Sequence, residues 1–226
     1  MYSEIIEMAD ERVLSMPVIE SEDRLVDLRL ASSVRVGPPP EFPETAPHYT
    51  FVRKGLVERI EHVQSKLPSG QFLRLYEGYR TPKVQDMIFQ RQLKIVVETN
   101  PEWSPKRCHD EASKLAAPLA TFEGEANIPP HSTGGAVDLE IVDTKGDVIE
   151  FGMEVKDMSY VVPELCATGF NDISQEATDN RAILLEAGES AEFVNYPREW
   201  WHFSYGDRYW AYVGGKTTAF YVQVDE

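Results

Sequence analysis

The chain carries the stretch Tyr196-Pro-Arg-Glu-Trp-Trp-His-Phe-Ser-Tyr205, in which a carboxylate precedes a histidine by three residues among aromatic side chains. Glutamate and histidine are costly to place in apolar surroundings unless a partner satisfies them. Two interpretations compete. In one, an aromatic-rich strand happens to end in a polar pair. In the other, His202 is a metal ligand and Glu199 acts on a metal-bound water, a hypothesis that needs support from the rest of the chain.

A second polar motif, His131-Ser-Thr-Gly-Gly-Ala-Val-Asp138, combines a histidine in a glycine-containing loop with an aspartate on the strand that follows. The small residues let the loop fold closely against that strand. Together with His202, the residues His131 and Asp138 would supply two imidazoles and one carboxylate. Three protein ligands with an open fourth position are typical of a catalytic zinc site, although iron, cobalt or nickel also suit these donors.

Glu199 and Arg80 are the candidate catalytic residues beside such a metal. Glu199 would act as general base on a zinc-bound water, whose pKa falls to about 7, and would pass the proton to a leaving amine. Residues three apart on a regular strand point to opposite faces, so Glu199 and His202 converge only if the chain twists or bulges there. Arg80, at a predicted strand-to-helix junction, would either stabilise an oxyanion or bind a substrate carboxylate.

Length and charge narrow the classes of protein. A chain of 226 residues is long enough for a sizeable core, and a net charge of −16 argues against nucleic acid or an anionic membrane as a partner. No stretch approaches the roughly 20 apolar residues of a membrane span, and the acidic N-terminal residues lack a secretory-signal pattern. Cys108 and Cys166 form no C-x-x-C pair, so we expect two free thiols and a cytoplasmic protein.

Periodicity predicts a single α+β domain over residues 1–226, with a central antiparallel sheet flanked by helices. Residues 1–22 are predicted to be an N-terminal extension with a short helix over 3–14, and residues 37–47 a Pro-rich loop. The main helices are predicted at 53–67, 82–99, 104–117 and 179–187. The strands are predicted at 23–30, 71–76, 136–142, 148–151, 199–205, 208–213 and 217–224. A Gly206-Asp207 turn would join the strands 199–205 and 208–213 in a hairpin.

Three dispersed motifs together resemble the D-alanyl-D-alanine dipeptidase family of zinc peptidases, the vancomycin-resistance type. That family is related to D,D-carboxypeptidases, to lysostaphin and to the hedgehog zinc domain. Its pattern S-x-H-x-x-G-x-A-x-D matches from His131 to Asp138, its E-W-W-H pattern matches Glu199–His202, and its G-Y-R-P motif matches Gly78-Tyr79-Arg80 with Thr81 inserted before Pro82. The resemblance implies one zinc ion, bound by His131, Asp138 and His202. It also implies Glu199 as the catalytic acid/base and Arg80 as the residue that stabilises the transition state.

Two departures from the family pattern concern the substrate. The family serine two positions before the first ligand is Pro129 here. The family segment F-D-x-M-S, whose aspartate helps to hold the substrate ammonium, best matches Val155-Lys-Asp-Met-Ser159, which puts Lys156 at the aspartate position and Asp157 beside it. With Tyr79 and Trp201, these two residues are the candidate substrate-binding set.

The resemblance predicts a zinc dipeptidase that hydrolyses D-alanyl-D-alanine, or a similar small D-amino-acid-containing peptide, by attack of zinc-bound water. A related D,D- or L,D-carboxypeptidase or amidase with another substrate is the alternative within enzymes. A non-catalytic, hedgehog-like zinc module is the alternative from another class. Glu199 and Arg80 beside the ligands favour an enzyme, because a binding module needs neither a base nor an oxyanion partner.

Overall fold

A five-stranded sheet organises the fold in the computed structural model, which describes residues 4–40, 43–158 and 160–224. The strands are β1 (Leu25–Asp27), β2 (Arg35–Val36), β3 (Phe51–Arg53), β4 (Phe72–Glu77), β5 (Ala136–Val142), β6 (Val194–Asn195) and β7 (His202–Ser204). The order in the sheet is β2-β4-β5-β7-β6, and β1 pairs separately with β3. All neighbours are antiparallel except β2 and β4. The predicted antiparallel sheet is therefore confirmed, with one short parallel strand at its edge.

The helices are α1 (Glu11–Leu14), α2 (Leu28–Ala31), α3 (Gly55–Lys66), α4 (Pro82–Thr99), α5 (Pro105–Ala112), α6 (Pro130–Thr133), α7 (Pro163–Cys166), α8 (Gln175–Ser190) and α9 (Arg208–Val213). The predicted start of α4 is confirmed, because the Thr81 side chain accepts a hydrogen bond from the Val84 amide and Pro82 opens the helix. Ser104 and Pro105 begin α5 in the same way. The chain therefore folds as a single α+β domain, as its pattern predicts.

The two faces of β5 differ in chemistry, and this difference positions the site. Val137, Leu139 and Ile141 belong to the main apolar core, which also contains the buried faces of α3 and α8. Asp138 and Glu140 alternate with them and are also buried. Because successive side chains of a strand point to opposite faces, the polar residues lie together on the face away from α3 and α8.

The C-terminal region differs from its prediction. Arg208–Val213 is a helix rather than a strand, because the Asp207 side chain accepts a hydrogen bond from the Trp210 amide and caps the first turn. Because this segment is helical, the predicted hairpin of 199–205 with 208–213 does not form, and the Gly206-Asp207 turn leads into α9. The antiparallel partner of β7 on this side is β6, which precedes it in the chain. Residues 217–224 contribute an isolated bridge from Ala219 to Val18 instead of a strand.

The remaining differences concern short segments, two of which include residues outside the described part of the chain. The short helix predicted over 3–14 is reduced to α1, and residues 1–3 lie outside the described part of the chain. The Pro-rich segment 37–47 contains a short 3-10 helix at Pro43–Thr45. Within this segment, Glu41 and Phe42 are not among the described residues. The predicted strand 148–151 is a single bridge between Val148 and Val142.

Candidate metal centre and catalytic site

Strand register brings the predicted ligands together. Asp138 on β5 lies directly opposite His202 on β7, so their side chains project from the same face. Oδ1 of Asp138 lies 3.2 Å from Nδ1 of His202 and 3.3 Å from Nε2 of His131. The two imidazole nitrogens are 3.1 Å apart. Within the described residues, these three side chains form the group of histidine, cysteine and acidic residues that could hold a metal ion.

A short turn places His131 against β5. The turn α6 ends at Gly134, whose φ of 71° lies in the left-handed region that favours glycine. A side chain at Gly134 would also strike Leu25 of β1. The Nδ1 atom of His131 lies 2.7 Å from the carbonyl oxygen of Gly78, which assigns the ring proton to Nδ1. The lone pair of Nε2 is then directed at Asp138 and His202.

His202 is held in the opposite tautomer. Its Nε2 atom lies 3.3 Å from the hydroxyl of Ser204, so a proton on Nε2 has a partner and Nδ1 keeps its lone pair. Burial lowers the pKa of His202 to about 4, and the nearby His131 adds to this, while Asp138 opposes it. The neutral imidazole is the form that binds metals.

Asp138 completes a set of donors that fits a metal ion. Burial alone would raise its pKa, but positive charge at His131 and His202 lowers it by more; a bound metal ion would supply such charge while both imidazoles stay neutral. Its Oδ1 atom is buried and has no directed hydrogen bond among the described residues. Two nitrogen lone pairs and a carboxylate oxygen therefore face one another within 3.3 Å. A buried charge of this kind needs a cation, and two imidazoles with one carboxylate suit zinc.

Glu199 reaches this centre from the loop between β6 and β7. The predicted strand 199–205 begins only at His202, and residues before it form tight turns in which the Glu199 amide bonds the Tyr196 carbonyl and the His202 amide bonds the Glu199 carbonyl. These turns remove the spacing difficulty of a regular strand. Oε2 of Glu199 consequently lies 3.8 Å from Nδ1 of His202. Burial and then the charge of Asp138 raise the pKa of Glu199 well above its ordinary value, which makes its carboxylate a better proton acceptor than an exposed one.

Asn195 holds the Glu199 loop in place. Its side-chain amide donates to the carbonyl oxygen of Glu199 at 3.0 Å and to that of His202 at 2.9 Å. The Thr168 hydroxyl in turn donates to the Asn195 side-chain oxygen at 2.6 Å. Both ends of the turn are therefore fixed by one buried side chain.

Arg80 lies buried at the junction of β4 and α4. Its guanidinium donates to both oxygens of Glu77, at 3.0 Å from Nε, and to the side-chain oxygen of Gln85 at 2.8 Å. Burial lowers its pKa, but Glu77 outweighs that effect and raises the pKa above its ordinary value, so Arg80 stays cationic. Glu77 itself lies opposite Asp138 in the β4–β5 register. The guanidinium is thus anchored next to the candidate metal ligands.

One cavity joins these groups. It has a volume of about 80 Å³, and its lining includes Arg80, Glu199 and the three candidate ligands. Of the predicted substrate-binding residues, Trp201 lines it, as does Pro129. Tyr79 instead lines a different, more open depression.

Lys156 and Asp157 are not among the residues that line the cavity. Lys156 is exposed and pairs with Glu154 at 2.8 Å, and the neighbouring Met158 lines the cavity instead. Ser159, the last residue of the matched segment, lies outside the described residues. The proposed part of Lys156 and Asp157 in substrate binding therefore stays a prediction.

The structure adds residues that the sequence alone did not single out. Glu77 and Gln85 anchor Arg80, Asn195 anchors Glu199, and Ser204 lies against His202. Ser204 lies two residues after His202 on the same strand, so this spacing is the sequence signal that could have found it. The others depend on contacts between elements.

A metal-ion centre with an adjacent acid/base group and a fixed cation is the arrangement of a metal-dependent hydrolase. Comparison with known proteins narrows that class. The family model described as D-ala-D-ala dipeptidase matches residues 48–223. The chain therefore belongs to the D-ala-D-ala dipeptidase family, and it is a zinc metallopeptidase.

A curated relative and two solved structures illustrate the likeness. A D-alanyl-D-alanine dipeptidase of Synechocystis sp. (strain ATCC 27184 / PCC 6803 / Kazusa) is 25% identical in an alignment 224 positions long that covers 88% of this chain and 88% of the relative. The LdcB LD-carboxypeptidase has a TM-score of 0.44 at 15% identity, covering 88% of this chain and 77% of that one. VanYB in complex with D-alanine-D-alanine has a TM-score of 0.44 at 14% identity, covering 79% and 86%. The family assignment rests on the sequence match.

None of the helices in the described part of the chain is both long enough and apolar enough to cross a membrane.

Proposed function

We propose that the protein hydrolyses D-alanyl-D-alanine or a closely similar dipeptide, with His131, Asp138 and His202 as the zinc ligands. The observation that carries this proposal is the convergence of two imidazole nitrogens on the buried, otherwise unpartnered Oδ1 of Asp138. Membership of the dipeptidase family supports the substrate class.

Zinc held there would acidify a water molecule and polarise the scissile carbonyl. Glu199, at 3.8 Å from a ligand nitrogen, is placed to accept a proton on one side of the centre and to return it to the departing amine. The raised pKa of Glu199 makes its carboxylate a stronger base than that of an exposed glutamate. Trp201 and Pro129 give the cavity apolar walls that limit water around this exchange.

Arg80 supplies positive charge where the peptide carbonyl oxygen gains negative charge. Its bonds to Glu77 and Gln85 fix the guanidinium before substrate arrives, so no reorganisation is needed during the reaction. Because the group is buried and stays cationic, its field acts at low local dielectric. We therefore assign Arg80 to the transition state rather than to a substrate carboxylate.

The small cavity supports a small substrate. Its volume of about 80 Å³ is well below the roughly 300–1,000 Å³ of sites that enclose drug-sized ligands. We also propose that the protein works in the cytoplasm on free dipeptide, without a nucleic-acid or membrane partner. Two buried free cysteines, Cys108 and Cys166, and the net charge of −16 support this compartment and this absence of polyanionic partners.

A hydrolysis screen tests the proposal. The zinc-loaded protein is assayed with D-Ala-D-Ala, L-Ala-D-Ala, D-Ala-D-lactate and N-acetyl-D-Ala-D-Ala, and the released alanine is measured. We expect D-Ala-D-Ala to be hydrolysed with the highest kcat/KM. A preference for the N-acetylated peptide would contradict a dipeptidase and favour a carboxypeptidase.

A further inference from the structure

An N-terminal segment (residues 4–14) packs against the loop that carries Glu199. Met8 is only 7% exposed and belongs to an apolar cluster with Val13, Ala117, Tyr196 and Tyr209. Helix α1, at the end of the segment, packs against α9. The segment lies outside residues 48–223, which the family model matches. Its contacts with the catalytic loop are therefore a feature of this chain beyond that matched region.

Met8 forms part of the cavity wall. It lines the same cavity as Arg80 and Glu199 and packs against Ala117 and Tyr196, which also line it. Asp10 caps α1 through the Arg12 amide, and Arg12 also pairs with Asp10 and Glu4, so the segment has a defined local structure. A peptide extended past the reaction centre toward this wall would have to occupy the volume of the Met8 side chain.

An ion pair ties this wall to the catalytic loop. Nε of Arg198 donates to both oxygens of Glu7, at 2.9 and 3.0 Å, and its Nη2 donates to the same carboxylate. The Tyr196 hydroxyl lies 2.6 Å from Glu7 and 2.9 Å from the Lys114 carbonyl. Arg198 directly precedes Glu199, and the Tyr196 carbonyl accepts a hydrogen bond from the Glu199 amide. Both partners of Glu7 are only partly exposed or buried, so the pair is less screened than one at the surface.

We propose that Met8 is a specificity-determining residue that closes the cavity to peptides longer than two residues, and that the Glu7–Arg198 pair holds it there. This inference rests on the proposed function, because it concerns the length of peptide that reaches the same centre. The N-terminal segment would then select dipeptides, although its Glu7 is 189 residues away in sequence from Tyr196, which it contacts in the Glu199 loop. Residues that touch the metal then set the reaction, while Met8 sets the length of the substrate.

Peptides of increasing length test the inference. The kcat/KM for N-acetyl-D-Ala-D-Ala and for the tripeptide D-Ala-D-Ala-D-Ala is divided by that for D-Ala-D-Ala in wild-type and Met8→Ala protein. We expect the substitution to raise at least one ratio fivefold or more, and Met8→Leu, which keeps the volume, to change neither by that much. The matched control is Met16→Ala, which removes a half-buried methionine of the same region that does not line the cavity.

A second variant keeps the test decisive if the cavity in Met8→Ala prevents folding. Glu7→Ala releases the segment without removing core volume, and Glu4→Ala removes an exposed carboxylate that pairs only with Arg12 among the described residues. We expect Glu7→Ala to shift the same ratios in the same direction, whereas Glu4→Ala leaves them unchanged. Ratios that stay within fivefold of wild type in every folded Met8 and Glu7 variant would overturn the inference while D-Ala-D-Ala hydrolysis by the wild type upholds the proposed function. A wild-type protein inactive on D-Ala-D-Ala would instead overturn the proposed function itself.

Discussion

Asp138 and His202 lie directly opposite each other on β5 and β7, with Oδ1 and Nδ1 3.2 Å apart. A sheet register, rather than a flexible loop, therefore fixes two of the three proposed ligands. His131 joins them from a turn held by its bond to the Gly78 carbonyl. Ligands carried by such elements are oriented before the metal binds, which favours a site of defined geometry.

Replacement of His131 tests the ligand set. His131→Ala removes one of three donors and leaves a vacant position beside Asp138, so we expect zinc content to fall from about one ion per chain to well below half. Metal analysis of the dialysed protein measures this. His62→Ala, at an exposed histidine of α3, is the control and should keep its zinc. Full zinc content in His131→Ala would contradict the assignment.

Ser204 is expected to tune zinc affinity through His202. Ser204→Ala leaves the Nε2 proton of His202 without its partner in a buried place, and loss of such an outer partner typically weakens metal binding about 10–100-fold. Competition with a chelator gives the dissociation constant. Ser190→Ala, at the end of α8, should leave that constant unchanged. An unchanged constant in Ser204→Ala would show that the hydroxyl does not hold the ring.

Arg80→Lys should lower kcat and leave zinc content intact. Lysine keeps the charge but cannot reproduce the fork that binds Glu77 and Gln85, so the charge is no longer fixed near the substrate carbonyl. Loss of a positioned oxyanion partner costs on the order of 10²–10³ in kcat. Arg74→Lys, at an arginine that pairs with Glu140 outside the cavity, is the control. A raised KM with unchanged kcat would place Arg80 at a substrate carboxylate instead.

Asp207 predicts a pH dependence of stability in the zinc-free protein. Burial raises the pKa of Asp207 to about 6, and its Oδ2 has no partner among the described residues. The folded state thus binds this proton more tightly than the unfolded state, and the free energy of unfolding falls as pH rises from about 4 to 6. Asp207→Asn still caps α9 but cannot ionise. We therefore expect it to remove a fall on the order of 2 kcal/mol in the free energy of unfolding between pH 4 and pH 7. Denaturant unfolding at pH 4 and pH 7 measures it. An equal pH dependence in both proteins would refute the shift.

The sequence predicted those helices whose ends and buried faces depend on residues close together in the chain. Thr81 and Pro82 begin α4 as their residue types require, and the apolar spacing of α3 matches its buried face. Helix α9 was wrongly predicted as a strand because Tyr209, Trp210 and Ala211 are all buried, so the segment shows no helical alternation of polar and apolar residues. The capping aspartate, Asp207, was the local helix signal, but it was interpreted as part of a hairpin turn.

The candidate site likewise combines features that the sequence predicts with features that depend on contacts between elements. The ligand types and their motifs are visible in the sequence, and the structure brings His131, Asp138 and His202 together. The approach of Glu199 depends on Asn195, and the cavity wall depends on Met8, both through contacts that spacing does not encode. Lys156 and Asp157 were proposed from a motif match alone; neither lines the cavity, and their part in substrate binding stays a prediction.

The role of Glu199 is the central claim, because it separates a hydrolase from a zinc-binding module with the same ligands. Glu199→Gln keeps the shape and removes the proton acceptor beside His202. The most direct measurement is the turnover of D-Ala-D-Ala by this variant together with its zinc content. We predict about one zinc per chain and a loss of kcat of at least 10²-fold. Zinc-loaded Glu199→Gln protein with wild-type turnover would contradict the account.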